Sequence, residues 1–465
     1  MAYIEECPPE VVESIVSYLD LPDAGNLRLV NRCLRSKVTQ RHIRSYFRSK
    51  RVHVTGPALR DLNVLTQRGW LGCEVRNLTL VGVVNNTMGL EAALKTNLIQ
   101  QHPEKRSRVA RDLDILKERQ RDYQQLLDSG VIVHLLSRIF KSIAANGTLG
   151  KLQSLSLEVT VYRENANREL YPLTGGSWRL IWQAATEMFR VAFASLLESG
   201  LEIEHLDIFN KPRLQGCSLA SNELTGFDYH HKGLSRTLGC LRSLSISVSD
   251  RIIDITRQDA QSSGDANDEI NWSNDEDGRT MAEVTAEARD EQNFAGLANL
   301  IQACHQLKKL HIHQYLVNFR RISHIDYPNE RLLQRISELS KLPELEECSL
   351  RGLYVRETDL LSFLKKVPLH KLSMEFVIMT SGTFRSIFDY CTGEGSTVTS
   401  VHFDELRVQR GLVHFTGVGE PRFQSWAGAH GSNTLTREGE DLKQAIRFHL
   451  PDGPPFPVSS HVSNQ

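Results

Sequence analysis

LQSLSL at residues 152–157 governs the reading of most of this chain, because its spacing returns seven more times. The other copies are VRNLTL at 75–80, IEHLDI at 203–208, LRSLSI at 241–246, LKKLHI at 307–312, LEECSL at 345–350, LHKLSM at 369–374 and VTSVHF at 398–403. In each, the last two apolar residues stand two apart, the period of a strand with one buried side, so the residue between them faces the other way. Helical spacing precedes several copies: Ile132, Leu135, Leu136, Ile139, Phe140 and Ile143; Ile181, Ala184, Ala185 and Met188; Leu360, Phe363, Leu364 and Val367; Phe384, Ile387, Phe388 and Cys391. Strand and helix alternate, and stacking such units buries what none of them buries alone.

The pattern resembles leucine-rich repeats, although the intervals run from 24 to 77 residues and require insertions. The expected fold class is α/β, with amino-terminal helices followed by an irregular repeat solenoid of alternating helices and parallel strands. A layered α/β domain is the alternative. The Asn or Cys that such repeats carry after the strand is replaced here by Thr160, Lys211, Ser249, Tyr315, Leu353 and Val377, so the turns must satisfy their backbone groups in another way. In a solenoid the middle strand residues, Thr79, Ser156, Asp207, Ser245, His311, Ser349, Ser373 and His402, line an exposed face. Val81, Glu158, Phe209, Ser247, His313, Arg351, Glu375 and Asp404 come next outward. Small, polar and of mixed charge, this face suits a protein partner better than a dry small-molecule pocket. Asp207, Phe209, His311, His313, Arg351, Glu375 and His402 are the expected target-binding residues.

Upstream, residues 7–35 read CPPEVVESIVSYLDLPDAGNLRLVNRCLR. Pro8 and Pro9 suit a helix entry, where a missing N–H costs nothing, and Glu10 complements the helix dipole. Val12, Ile15, Val16 and Leu19 form one apolar stripe. Pro22 ends that helix and opens a second carrying Leu27 and Val30, and a third is expected from Asn31 with Leu34, Val38, Ile43 and Phe47. So short a helical module buries too little surface to stand alone, so part of its apolar stripe needs a partner or the adjoining domain.

This order of residues resembles the F-box family over nearly the whole motif. The resemblance implies docking on the Skp adaptor of cullin-based ubiquitin ligases through Pro8, Pro9, Glu10, Ile15, Leu19, Leu21, Pro22, Leu27, Val30 and Leu34. Cys7 stands where the family usually has Leu, and Leu34 where an aromatic is common, which implies weakened docking. The function implied is a non-catalytic, substrate-recruiting subunit of such a ligase, reaching cullin through the adaptor and holding a target protein on its repeats. An adaptor-bound scaffold without a ubiquitylation role is the alternative.

Expected boundaries are 1–51 for the F-box and following helix and 52–408 for the repeats, with inserts at 97–128 and 257–293. A β-rich cap at 409–450 and a disordered tail at 451–465 complete the chain, whose ending resembles F-box proteins of filamentous fungi. The 97–128 segment is rich in Lys, Arg, Glu and Gln and expects an exposed helix, whereas 257–293 is acidic and too poor in apolar residues to order itself.

A net charge of -1 gives no global attraction to nucleic acid or membrane, and the basic stretch from Arg28 to Arg51 lacks a base-stacking platform. No apolar run approaches the roughly 18 residues needed to span a bilayer. The eight cysteines form no C-x-x-C pair, so a reducing compartment, cytosol or nucleus, is expected. Gly147 to Lys151 misses phosphate-loop spacing, and His311 and His313 suit a polar strand face better than a metal site. No cofactor is expected.

Overall fold

The computed structural model describes all residues except 1–2, 39–40, 68–71, 97–101, 175–177, 215, 251–285, 288, 316–329, 410, 418–430 and 451–465. Most of the expected acidic insert and all of the expected tail lie outside the described residues. The chain divides into two compact units. The first comprises Met1–Asp207, Arg213–Gln215 and His231–Leu238, and the second Ile208–Pro212, Gly216–His230 and Gly239–Gln465.

The first unit opens with four helices, α1 (Pro9–Val16), α2 (Leu21–Val30), α3 (Arg32–Val38) and α4 (Arg41–Arg48). Pro9 occupies the first turn of α1. The Asp20 side chain accepts the Asp23 N–H at 2.8 Å and so caps α2, while Asn31 does the same for the Leu34 N–H at 2.8 Å. The single third helix expected from Asn31 is thus two helices flanking residues 39–40. Val12, Val16, Ala24, Val38 and Ile43 form their shared core.

Strand β1 (Ser49–His53) and helix α5 (Gly56–Gln67) follow, then β2 (Asn77–Asn85), α6 (Met88–Lys95), α7 (Pro103–Asp128) and α8 (Val131–Asn146). The unit continues with β3 (Leu152–Tyr162), α9 (Trp178–Ser199), β4 (Ile203–Ile208) and α10 (Lys232–Gly239). The strands lie in the order β1-β2-β3-β4, with β2 parallel to both β1 and β3. Helix α9 packs on β2 and β3, burying Ala185, Met188, Phe189 and Ala192 completely.

In the second unit, β5 (Leu219–Ala220) pairs with β6 (Ser243–Ser249). The chain then runs α11 (Ala295–Ala303), β7 (Lys309–Gln314), α12 (Arg331–Glu338), β8 (Glu347–Arg351), β9 (Tyr354–Arg356), α13 (Glu357–Lys366), β10 (Lys371–Glu375), β11 (Ile378–Ser381), α14 (Arg385–Thr392), β12 (Ser400–Asp404) and β13 (Arg407–Val408). It ends with β14 (Gly411–Leu412), β15 (His414–Phe415), β16 (Thr434–Glu438) and β17 (Phe448–His449). Strands β6, β7, β8, β10 and β12 are parallel neighbours in that order, and β16 closes the row antiparallel to β12. Helices α11 to α14 pack each against the next. A second, smaller sheet runs β9-β11-β13-β14.

The sequence pattern maps onto this architecture position by position. All three apolar positions of all eight copies are buried, none more than 2% exposed. Leu244, Leu310, Cys348, Leu372 and Val401 are register partners in turn, as are Ile246, Ile312, Leu350, Met374 and Phe403. Backbone hydrogen bonds hold the repeats where side-chain amides are lacking. The carbonyls of Arg242, Lys308, Glu346 and His370 each accept two successive N–H groups from the following strand, at 2.8 to 3.0 Å. At the strand ends, the N–H groups of Gly352, Phe376 and Glu405 donate to the carbonyls of Glu375, Asp404 and Asn433 at 2.9, 3.0 and 3.2 Å.

Candidate functional sites

The amino-terminal helices are apolar on two sides. Val12 and Val16 face the core at 0% exposure, whereas Val11, Ile15 and Tyr18, at spacing i, i+4 and i+7, point outward at 46%, 40% and 88%. On α2, Leu29 is 84% and Val30 65% exposed. A helix with apolar residues on both sides has one of them left for a neighbour. The opposite edge is tied down: Lys37 Nζ donates to the carbonyls of Glu5 and Cys7 at 2.6 and 2.8 Å, and Asn31 donates to Glu5 at 2.5 Å.

Of the expected adaptor residues, Pro8, Pro9, Glu10, Ile15, Leu21, Pro22 and Val30 are exposed. Leu19 and Leu27 are half-buried against the helical core. Leu34 is a correction: at 2% exposure it belongs to the interior, because α3 turns that side inward against its neighbours. Val11, Tyr18 and Leu29 were not among the expected residues. Their signal is an apolar residue on the side of a helix opposite its buried stripe.

The second candidate surface is the strand face of the second unit, where register aligns three polar rows. Ser243, Lys309, Glu347, Lys371, Ser400 and Glu438 form one; Ser245, His311, Ser349, Ser373, His402 and Thr436 the next; Ser247, His313, Arg351, Glu375, Asp404 and Thr434 the third. Lys309 and Glu347 pair at 2.6 Å, and His311 lies 3.4 Å from the same carboxylate. The Lys309 hydrogen bond holds Glu347 below the usual carboxylate range. Arg351 and Glu375 approach to 3.7 Å. His313 Nδ1 lies 3.1 Å from Ser247 Oγ, and its ring meets that of Tyr315 edge-on at 6.1 Å. Burial, reinforced by Arg351, pushes the His313 imidazole down to about 4, so it is neutral at neutral pH. His402 Nδ1 is 2.9 Å from Thr436 Oγ1.

Three expectations about this face are corrected. Phe209 is 1% exposed, because the backbone turns left-handed there (φ 59°), one residue earlier than in the later repeats, and a one-residue slip reverses the side chain's direction. Ser247 is fully buried, with its hydroxyl on the Cys217 carbonyl at 3.3 Å. In the first unit the face is occupied by the chain itself. Leu170 bridges to Val161, and the Thr160 hydroxyl donates to the Leu170 carbonyl at 3.1 Å. Arg51 binds Glu158 at 3.1 Å and Glu169, and Arg213 reaches Glu158 as well. Val81 at 0%, Glu158 at 1% and Ser156 at 8% exposure are therefore covered. Asp207, also expected on this face, is half-buried at the end of that unit. His311, His313, Arg351, Glu375 and His402 share the open face of the second unit, each partly exposed.

Residues 4–46 match the family profile of the F-box domain, a module that docks on Skp adaptors of cullin-type ubiquitin ligases. No curated protein matches the chain.

Proposed function

We propose that this chain is a substrate-recruiting subunit of a Skp-cullin-F-box ubiquitin ligase. The amino-terminal helices dock on the adaptor, and the strand face of the second unit holds a target protein. One observation carries the first half: Val11, Ile15, Leu29 and Val30 stand open on helices whose other side is already sealed by Val12, Val16 and Ala24, and Tyr18 stands open in the turn that follows α1. Burying such an apolar patch against a partner is the main driving force available to it. Parallel strands in register, each followed by a helix or by a corner and a helix, support the leucine-rich-repeat reading of the remainder. Flat polar rows with charged ends support a protein target over a small molecule. The chain contributes proximity: it raises the effective concentration of a target lysine near a charged enzyme held elsewhere in the complex.

The test separates docking from folding. Ile15→Asp and Leu29→Asp each weaken binding to purified Skp adaptor by at least about a hundredfold while leaving the thermal melt in place. Val16→Asp, in contrast, disrupts the helices themselves. Adaptor binding unchanged in both surface variants sinks the proposal. Ubiquitylation is checked by deleting residues 1–51 in cells: targets of a ligase accumulate, whereas partners of a scaffold keep their abundance.

A further inference from the structure

After β3 the chain doubles back, and residues 167–171 return antiparallel to the strand's last residues. Polar contacts hold them there. The Val161 and Leu170 backbones exchange two hydrogen bonds, at 3.0 and 2.9 Å, and the Thr160 hydroxyl donates to the Leu170 carbonyl at 3.1 Å. Glu169 reaches the residues of β1, where Arg51 binds it and His53 Nε2 lies 3.6 Å away. The side chains of Asn167, Arg168, Glu169 and Tyr171 are exposed and that of Leu170 is half-buried, so none of the five is sunk in a core. The flanking residues differ. Ala166 is completely buried beside Leu90, Leu113 and Leu116, with its carbonyl held by Arg119 at 2.5 Å, and Pro172 is buried as well. A segment pinned at both ends, and held between them without a buried apolar side chain, is where a fold opens at least cost in free energy.

We propose that residues 167–171 are a strap that opens while the strands beneath it stay folded, with Glu169 as its latch. Shut, the strap denies this end of the first unit's strand face to any partner. Open, it frees the Thr160 hydroxyl, the Val161 N–H and carbonyl, and one side of the Arg51 guanidinium, which keeps its second carboxylate, Glu158, at 3.1 Å. Water takes up these polar groups, and Leu170 is the one aliphatic side chain of the strap that opening wets further. Arg213 also stays on Glu158, so the buried carboxylate keeps its compensation in both states. The latch itself is an ion pair between side chains that are about one-third exposed, the class of contact that salt weakens. The strap is separate from the F-box match and from the open face of the second unit, and it stands whether or not the ligase reading holds.

The test is hydrogen exchange of the full chain, followed by mass spectrometry on overlapping peptides that isolate the Val161 and Leu170 amides. Corrected for intrinsic rates, the two amides share one opening constant, at least about a hundredfold above that of the Leu155 and Leu157 amides in the same strand. Glu169→Gln, a substitution at an exposed position, raises that shared constant about threefold or more. It leaves Leu155 and Leu157 unchanged and does not move the thermal melt. Raising sodium chloride from about 0.05 to about 0.5 M opens the native strap in the same way and has little effect on the variant, whose latch is already gone. Val161 and Leu170 amides that exchange only in step with Leu157, by global unfolding, overturn the proposal. An opening constant unchanged by Glu169→Gln, or equally salt-sensitive in native chain and variant, overturns the assignment of Glu169 as the latch.

Discussion

His313 shows how a single side chain sets a pH dependence. It lies on the strand face, yet burial and the Arg351 guanidinium bring its imidazole to about 4, against an ordinary 6.5. Between those values the unfolded chain binds a proton that the folded chain refuses, so stability is fully present above 6.5 and falls as pH drops toward 4. From about pH 7 to about pH 5 the loss is up to about 2 kcal/mol for a group this partly exposed. Urea unfolding at several pH values checks this. The slope flattens in His313→Gln, whose amide has no proton to gain, and a slope shared by native and variant proteins counts against it. The histidine itself was legible as a strand-face residue. Its depressed basicity was not, because that depends on Ser247, Tyr315 and Arg351 converging from other strands and the following loop.

The recurring element is a strand closed by a left-handed corner. Gly352 (φ 71°), Phe376 (φ 53°) and Glu405 (φ 48°) occupy the same place, two residues after Leu350, Met374 and Phe403. Each then leads into Leu353, Val377 or Leu406, all completely buried. The corner imposes this backbone whatever the residue, and a non-glycine residue there costs about 1–2 kcal/mol. At Gly352 a Cβ also falls 2.4 Å from the Gln314 carbonyl oxygen, which is backbone and cannot give way cheaply. Gly352→Ala therefore costs more than about 2 kcal/mol. Phe376→Gly instead trades the packing of a ring that is 38% exposed for relief of strain, and stability moves by less than about 1 kcal/mol. Denaturant midpoints of the two variants decide it: equal losses would show that the corner does not distinguish them. The strands and their buried positions were readable because period-two apolar spacing reports burial directly. The corners were not, since Gly, Phe and Glu share no side-chain chemistry and the linkage runs through backbone N–H and carbonyl groups. The first unit's covered face was equally hidden, because Glu169 and Arg213 reach it from loops far along the chain from Arg51.

At the scale of the molecule, a stack of parallel strands must end somewhere, and in the second unit it ends on β12. Strand β16 pairs antiparallel with β12 along its whole length, from Ser400 opposite Glu438 to Asp404 opposite Thr434. Beneath it an aromatic cluster joins the repeats to the following segment: Phe388 lies 5.2 Å from Phe403, 5.8 Å from Phe415 and 5.2 Å from Phe448. Phe403 and Phe415 are completely buried, and Leu435 and Leu442 add to the same cover. The expectation of a β-rich terminal segment came from Gly-punctuated, β-prone runs, but its antiparallel direction and its aromatic anchor depend on partners nearly a hundred residues of pattern could not name. Removing everything after Val408 strips β12 of its neighbour and uncovers Phe388 and Phe403 together. An open, apolar-backed strand edge pairs with whatever edge it meets, so the shortened chain self-associates. Size-exclusion chromatography with light scattering checks this, alongside an apolar dye whose fluorescence rises as the rings are exposed. Phe415→Ala in the full chain keeps β16 in place and isolates the packing contribution, costing about 3–5 kcal/mol. A shortened chain that stays monomeric, dye-negative and cooperative in its melt means that the repeats seal their own end and that β16 serves some purpose other than closure.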